Sequence, residues 1–140
     1  MNSSKVLTGL FAIIWIFSGC AQGTSGSIPS GEIYAVFSVE GDSASSATCK
    51  ASFHHGQGTC ATSLSLTDGD TVTCSDGTTT VTLPQSTSLL GEYSYSTKQL
   101  VYTPGGTYMV KFTRKDGSSY EASIVLPEAI SITAPTTNSN

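Results

Sequence analysis

The sequence predicts an all-β protein, an antiparallel two-sheet sandwich that follows a cleaved helical signal peptide. Three observations carry this. After the first twenty positions, apolar residues recur with period two and nowhere with a sustained period of 3.6. Clusters of Gly, Asp, Ser, Thr and Pro interrupt that alternation about every eight to twelve residues. Ser and Thr make up about three residues in ten, while charged residues are 11 % of the chain, a balance that suits strands and leaves little for solvated helices. A closed barrel is the lesser alternative.

The first element is the signal. Lys5 precedes an apolar run from Val6 to Phe17 that ends in Phe17-Ser18-Gly19-Cys20. A run of about twelve residues falls short of the roughly twenty that cross a bilayer as a helix, so it reads as an export signal over residues 1–19. Small residues directly before a lone cysteine resemble the lipobox of bacterial lipoproteins, although Phe17 stands where that family usually carries leucine. The resemblance implies that the Cys20 thiol is acylated and that cleavage leaves Cys20 as the first mature residue. Each buried methylene of an acyl chain contributes about 0.8 kcal/mol, so two or more chains hold a protein on a membrane durably. By the same resemblance, Ala21 after the cysteine favours the outer membrane in a diderm organism. The expected localisation is the cell envelope, with the membrane as partner through the acylated N-terminus.

Residues 20–31 are small and polar and read as a flexible tether. Residues 32–135 are long enough for one domain with its own core, and residues 136–140 read as a disordered tail. Within the domain, Ile33, Ala35, Phe37 and Val39 form one alternating set, followed by Cys49, Ala51 and Phe53, then by Cys60, Thr62, Leu64 and Leu66. Val72 and Cys74, Val81 and Leu83, Tyr93 and Tyr95, and Leu100 and Tyr102 continue the pattern in shorter pieces. Turns are expected at Thr67-Asp68-Gly69-Asp70, Ser75-Asp76-Gly77 and Pro104-Gly105-Gly106.

The best-defined unit is the last hairpin. Lys115-Asp116-Gly117 fits a three-residue loop with Gly117 in the left-handed conformation. That register sets Phe112 opposite Tyr120, Val110 opposite Ala122 and Tyr108 opposite Ile124, an apolar ladder expected to face the core throughout.

Residues 32–135 resemble the immunoglobulin-like or fibronectin-type modules of bacterial surface lipoproteins, most recognisably at Leu66–Val72, at Tyr102–Tyr108 and in the hairpin through Gly117. The resemblance implies an immunoglobulin-like sandwich and no particular activity. The chain departs from true immunoglobulin domains in lacking the Cys…Trp…Cys pattern, since Trp15 lies in the signal. Ile130–Pro135 reads as the start of a strand or linker.

With Cys20 assigned to lipid, Cys49, Cys60 and Cys74 remain, and one disulfide plus one free thiol is expected in an oxidising compartment. A loop at His54–Gly58 would set Ser63 opposite Cys49, and a loop at Thr67–Asp70 would set Ser63 opposite Cys74. In a flat three-strand meander those cysteines would stand about 9.5 Å apart, too far to bridge, whereas strands in opposite sheets would make the same level favourable. Cys49–Cys60 would need a tight His54-His55 turn. Cys49–Cys74 is the preferred pairing.

Catalytic and metal chemistry has little support. His54 and His55 are adjacent in an expected loop and point apart, a poor metal pair. Asp68, Asp70 and Asp76 fit ordinary Asx turns better than a calcium loop, which would need fuller spacing and a closing Glu. No Ser sits in Gly-x-Ser-x-Gly, and no paired acids stand out for glycoside hydrolysis. A net charge of −4 without a basic cluster speaks against nucleic acid. Neither an enzyme, a cofactor nor a metal is expected. The expectation is a non-catalytic binding or structural module, either a surface recognition or adhesion protein for a protein or glycan partner, or a periplasm-facing accessory, immunity or inhibitor lipoprotein. Tyr93, Tyr95, Asp68 and His55 are the candidate binding residues, because aromatic side chains supply contact area with a polar tip.

Overall fold

Alternating apolar residues build two facing sheets. The computed structural model describes residues 21–41, 45–56, 61–67 and 69–128. Cys20, Cys60, Asp68 and the segment after Glu128, with their expected lipidation, free thiol, binding role and linker, lie outside the described residues. Among the described residues the strands are β1 (Gln22–Thr24), β2 (Ile33–Gly41), β3 (Ser46–His55), β4 (Thr62–Ser65), β5 (Thr71–Ser75), β6 (Thr80–Thr82), β7 (Gln85–Thr87), β8 (Tyr93–Val101), β9 (Thr107–Thr113) and β10 (Ser119–Val125). The chain is thus nearly all-β, in two sheets.

The first sheet runs β2-β3-β8-β7, with β4 beside the end of β3 and β1 parallel to β4. The second is antiparallel in the order β10-β9-β5-β6. Their inner faces meet in one core that includes Cys49, Ala51, Phe53, Val72, Cys74, Tyr95, Tyr108, Val110 and Phe112. Phe53 is its hub, with ring centroids 6.1 Å from Phe37, 5.4 Å from Tyr95 and 4.6 Å from Phe112. Aromatic pairs at these separations add to the area they bury.

The last hairpin has the expected register, with Phe112 opposite Tyr120, Val110 opposite Ala122 and Tyr108 opposite Ile124. Gly117 takes φ +86°, as a three-residue loop demands. The ladder is core except at its Tyr120 end, with Ile124 partly buried against the core. Tyr108, Val110 and Phe112 are buried, but β10 is an edge strand and Tyr120 is 46 % exposed.

Tyr93, Tyr95 and Leu100, which alternate in two short pieces, belong to one strand rather than two, and Tyr102 follows one residue past its end. On β8 the buried positions pass from odd to even, and Ala47 opposite Leu100 is followed by Cys49 opposite Thr97. Three steps on β8 therefore match two on β3. That extra residue is a β-bulge, and it keeps Tyr95 and Leu100 on the same inward face.

The expected β3–β4 register is corrected: Ser63 lies opposite His54, not Cys49, because the strand continues through both histidines to His55. The chain then crosses between sheets, leaving β4 in the first and starting β5 in the second. Cys49 on β3 and Cys74 on β5 consequently face each other across the core with Cα atoms 6.6 Å apart and form an inter-sheet disulfide.

The segment read as a tether is folded onto the domain. β1 pairs with β4, 3-10 turns follow at Ser25–Ser27 and Ser30–Glu32, and Ser25 is fully buried.

Candidate functional site

The end of the sandwich where the chain enters is closed by three segments. The turn between β4 and β5 is drawn tight by the Asp70 N–H, which donates to the Thr67 carbonyl at 2.8 Å, with Gly69 at φ +96°. The β9–β10 turn brings Arg114 and Lys115, and the N-terminal arm brings Ser25, Ile28 and Ser30. Ser25 Oγ donates to the Asp70 carboxylate and accepts from the Thr67 N–H at 2.8 Å. The other carboxylate oxygen of Asp70 accepts from the Lys115 N–H at 2.8 Å. Arg114 Nη2 donates to the Ser25 carbonyl at 2.9 Å, and Nη1 donates to the Ile28 carbonyl and Ser30 Oγ at 3.2 Å each. Arg114 Nε lies 3.3 Å from Asp70 Oδ2 without a hydrogen bond of its own.

Beside this clasp opens a cavity of about 450 Å³ lined by Gly26, Thr67, Asp70, Arg114, Lys115 and Asp116. Asp70 and Arg114 are spent on each other, on Ser25 and Ser30 hydroxyls and on backbone groups, so this pair holds chain segments together. Asp70 was expected in an Asx turn; its partner Arg114, with Ser25, went unnoticed in the sequence. The Ser65–Tyr95 region holds a second, polar cavity of about 210 Å³, where the chain crosses between sheets.

Of the sequence-predicted binding residues, the described ones, Tyr93, Tyr95 and His55, do not converge on one exposed surface. Tyr95 is 3 % exposed; its hydroxyl accepts from the Leu66 N–H at 2.7 Å and donates to Gln85 Oε1 at 2.8 Å. Burial holds its pKa above the ordinary tyrosine value. It is a core residue tying β8 to the crossing strand. Tyr93 is half-buried, and its hydroxyl donates to Gln22 Oε1 at 3.3 Å. His55 ends β3 rather than capping a loop, with Nε2 3.2 Å from Glu32 Oε2 at the surface. His54 instead turns to Ser52 Oγ, at 3.2 Å. Asp76 makes the expected Asx turn, accepting from the N–H groups of Thr78 and Thr79 at 2.9 and 2.7 Å, and these bonds hold its carboxyl below the usual range. Among the described residues no three His, Cys, Asp or Glu side chains stand close enough together to hold a metal ion.

The surface best suited to a partner lies where the two sheets leave a side open. Among the described residues β2 pairs with β3 alone and β10 with β9 alone, so both carry an unpaired edge. Between them an apolar cleft of about 110 Å³ is lined by Ser30, Ile33, Ala35, Phe112 and Tyr120. Tyr120 stacks over Phe112 with centroids 6.3 Å apart, while Tyr34 and Val36, 45 % and 60 % exposed, alternate with Ile33 and Ala35 and face the outer side of the first sheet. A long, exposed, apolar edge is a template for an added strand or a flat partner. The alternation of Ile33–Val39 marked β2 as a strand, but nothing in it marked an edge.

Comparison with protein-family models, with curated proteins and with solved structures finds no match for this chain.

Proposed function

We propose that this chain is a lipid-anchored protein of the bacterial envelope whose immunoglobulin-like sandwich binds a protein or glycan partner and performs no catalysis. The observation that carries the reading is strand order. With β1 and β4 of the first sheet set aside, lettering β2, β3, β5, β6, β7, β8, β9 and β10 as A, B, C, C′, D, E, F and G gives A-B-E-D in one sheet and C′-C-F-G in the other, an order that supports an immunoglobulin-like reading. Tyr108 adds support. It sits at the start of strand F, and its hydroxyl donates to the Val101 carbonyl and accepts from the Thr103 N–H, as in a tyrosine corner. The departure is the disulfide, which joins B to C, while Val110 occupies the place two residues after the corner tyrosine where F would carry cysteine.

Modules of this kind act through loops and edges, and the β2–β10 edge with Ile33, Ala35 and Tyr120 is the surface assigned to the partner. A net charge of −4 is unsuited to nucleic acid. Surface recognition is the primary reading. A periplasm-facing accessory role is favoured by one feature: the arm after Cys20 is clamped to the domain, which suits a partner close to the same membrane.

Protease shaving of intact beside permeabilised cells, following a tag at Asn140, tests the reading. Loss of the tag in intact cells supports surface recognition, protection until permeabilisation supports the accessory role, and recovery in the soluble fraction overturns the lipid anchor.

A further inference from the structure

The two most exposed apolar side chains of the described residues are neighbours. Leu89 and Leu90 are 107 % and 88 % exposed, at the tip of the turn between β7 and β8. Singly exposed leucines are common on soluble proteins, but a turn tip ordinarily carries polar residues, and an adjacent pair there is unusual. The turn is braced by its own hydrogen bonds. Ser88 N–H donates to the Glu92 carbonyl at 2.8 Å, Gly91 N–H to the Ser88 carbonyl at 2.9 Å, and Glu92 N–H to Ser88 Oγ at 3.0 Å. Gly91 at φ +83° closes it. The leucines are therefore presented outward by a framework that needs no rearrangement.

Their position gives them an occupant. Gln22 Nε2 donates to the Gly91 carbonyl at 2.6 Å, and the Tyr93 hydroxyl reaches Gln22 Oε1 at 3.3 Å. Gln22 follows Cys20 by two residues, a reach of at most about 7 Å. The exposed leucine pair and Gln22, two residues along the chain from the acylation site, thus share one end of the sandwich, opposite the Asp76–Thr79 turn between β5 and β6.

We propose that the β7–β8 turn is a second membrane contact, with Leu89 and Leu90 inserted into the lipid surface that holds the acyl chains of Cys20. The inference rests on the lipid-anchor reading above. Acylation makes the contact intramolecular, so even weak apolar insertion is populated at the high effective concentration the anchor imposes. The turn carries one carboxylate, Glu92, and no basic residue, so the attraction is apolar and independent of anionic lipid. The domain then stands end-on to the bilayer with the β2–β10 edge running away from it.

The mature chain after cleavage contains no tryptophan, because Trp15 lies in the signal. Leu90→Trp in the full-length, processed protein, reconstituted into phosphatidylethanolamine vesicles with or without acyl-brominated lipid, therefore reports insertion directly. Leu89→Trp is the second reporter should the first not fold, and Thr78→Trp at the opposite end is the control. Loss of emission in brominated vesicles for the Leu90→Trp or Leu89→Trp protein, with none for Thr78→Trp, is the expected result. Mass spectrometry of the mature N-terminus is read on the same samples. Acylated Cys20 with unquenched tryptophan at both leucine positions overturns the insertion alone and leaves the pair to a protein partner. Equal quenching at all three positions overturns the end-on contact, and unacylated Cys20 overturns the anchor and the insertion together.

Discussion

Arg114 Nε lies 3.3 Å from Asp70 Oδ2, and the two side chains are 10 % and 2 % exposed. The pair fastens residues 21–32 to the β4–β5 and β9–β10 turns, turning a segment with a linker's composition into part of the domain. Taking either charge away strands the other out of water, because the groups around them are already committed to one another.

Arg114→Ala is expected to destabilise the domain by about 3–5 kcal/mol and to expose residues 21–32 to protease. Asp70→Asn combined with Arg114→Met, which leaves no buried charge, is expected to cost less than Arg114→Ala alone. Urea denaturation with a cleavage map checks both. A loss under about 1 kcal/mol for Arg114→Ala would mean the pair behaves as a surface ion pair.

Tyr108→Phe removes a hydroxyl that satisfies the Val101 carbonyl and the Thr103 N–H while leaving the buried ring in place. A loss of about 1–3 kcal/mol is expected, with the fold retained. An unchanged denaturation midpoint would show that the corner contributes nothing.

The disulfide closes a separation of 25 residues between Cys49 and Cys74. Replacing both with Ala is expected to cost about 3 kcal/mol, chiefly by freeing the unfolded chain. Alkylation of the denatured, unreduced protein is expected to label Cys60 and to leave Cys49 and Cys74 unlabelled. Labelling at Cys49 or Cys74 would argue for a different pairing in the cell.

Asp76 has its folded pKa depressed by the N–H groups of Thr79 and Thr78. A depressed acid contributes stability that is present above its unfolded value, about 3.9, and lost as pH falls through the lower folded value. Asp76→Ala is therefore expected to lower Tm slightly at pH 7, with the difference from the parent vanishing in strong acid. A difference that persists below both pKa values would place the effect in packing instead.

What was legible in the sequence was local. Loop length and the left-handed glycine settled the register of the β9–β10 hairpin from Phe112 to Tyr120. Period-two alternation found β2, β3, β5 and the two halves of β8. Such signals report which face of a strand is apolar, not which neighbour it joins. Tyr120 therefore looked like core when it sits on an edge, and Tyr95 looked like a binding residue when its hydroxyl closes a buried contact between β8 and the crossing segment. Extending β3 through His55 also moved the β3–β4 register that the turn signals implied.

The sequence alone determined an all-β chain, its hairpin geometry and a short apolar run from Val6 to Phe17 ahead of Cys20, because each follows from residues a few positions apart. Tertiary structure alone decided that β4 and β5 part to opposite sheets, which brings Cys49 to Cys74, and that Asp70 meets Arg114 across 44 residues of chain. Those contacts depend on how whole sheets pack, and sheet packing is set by the sum of many buried faces rather than by any one stretch of the chain.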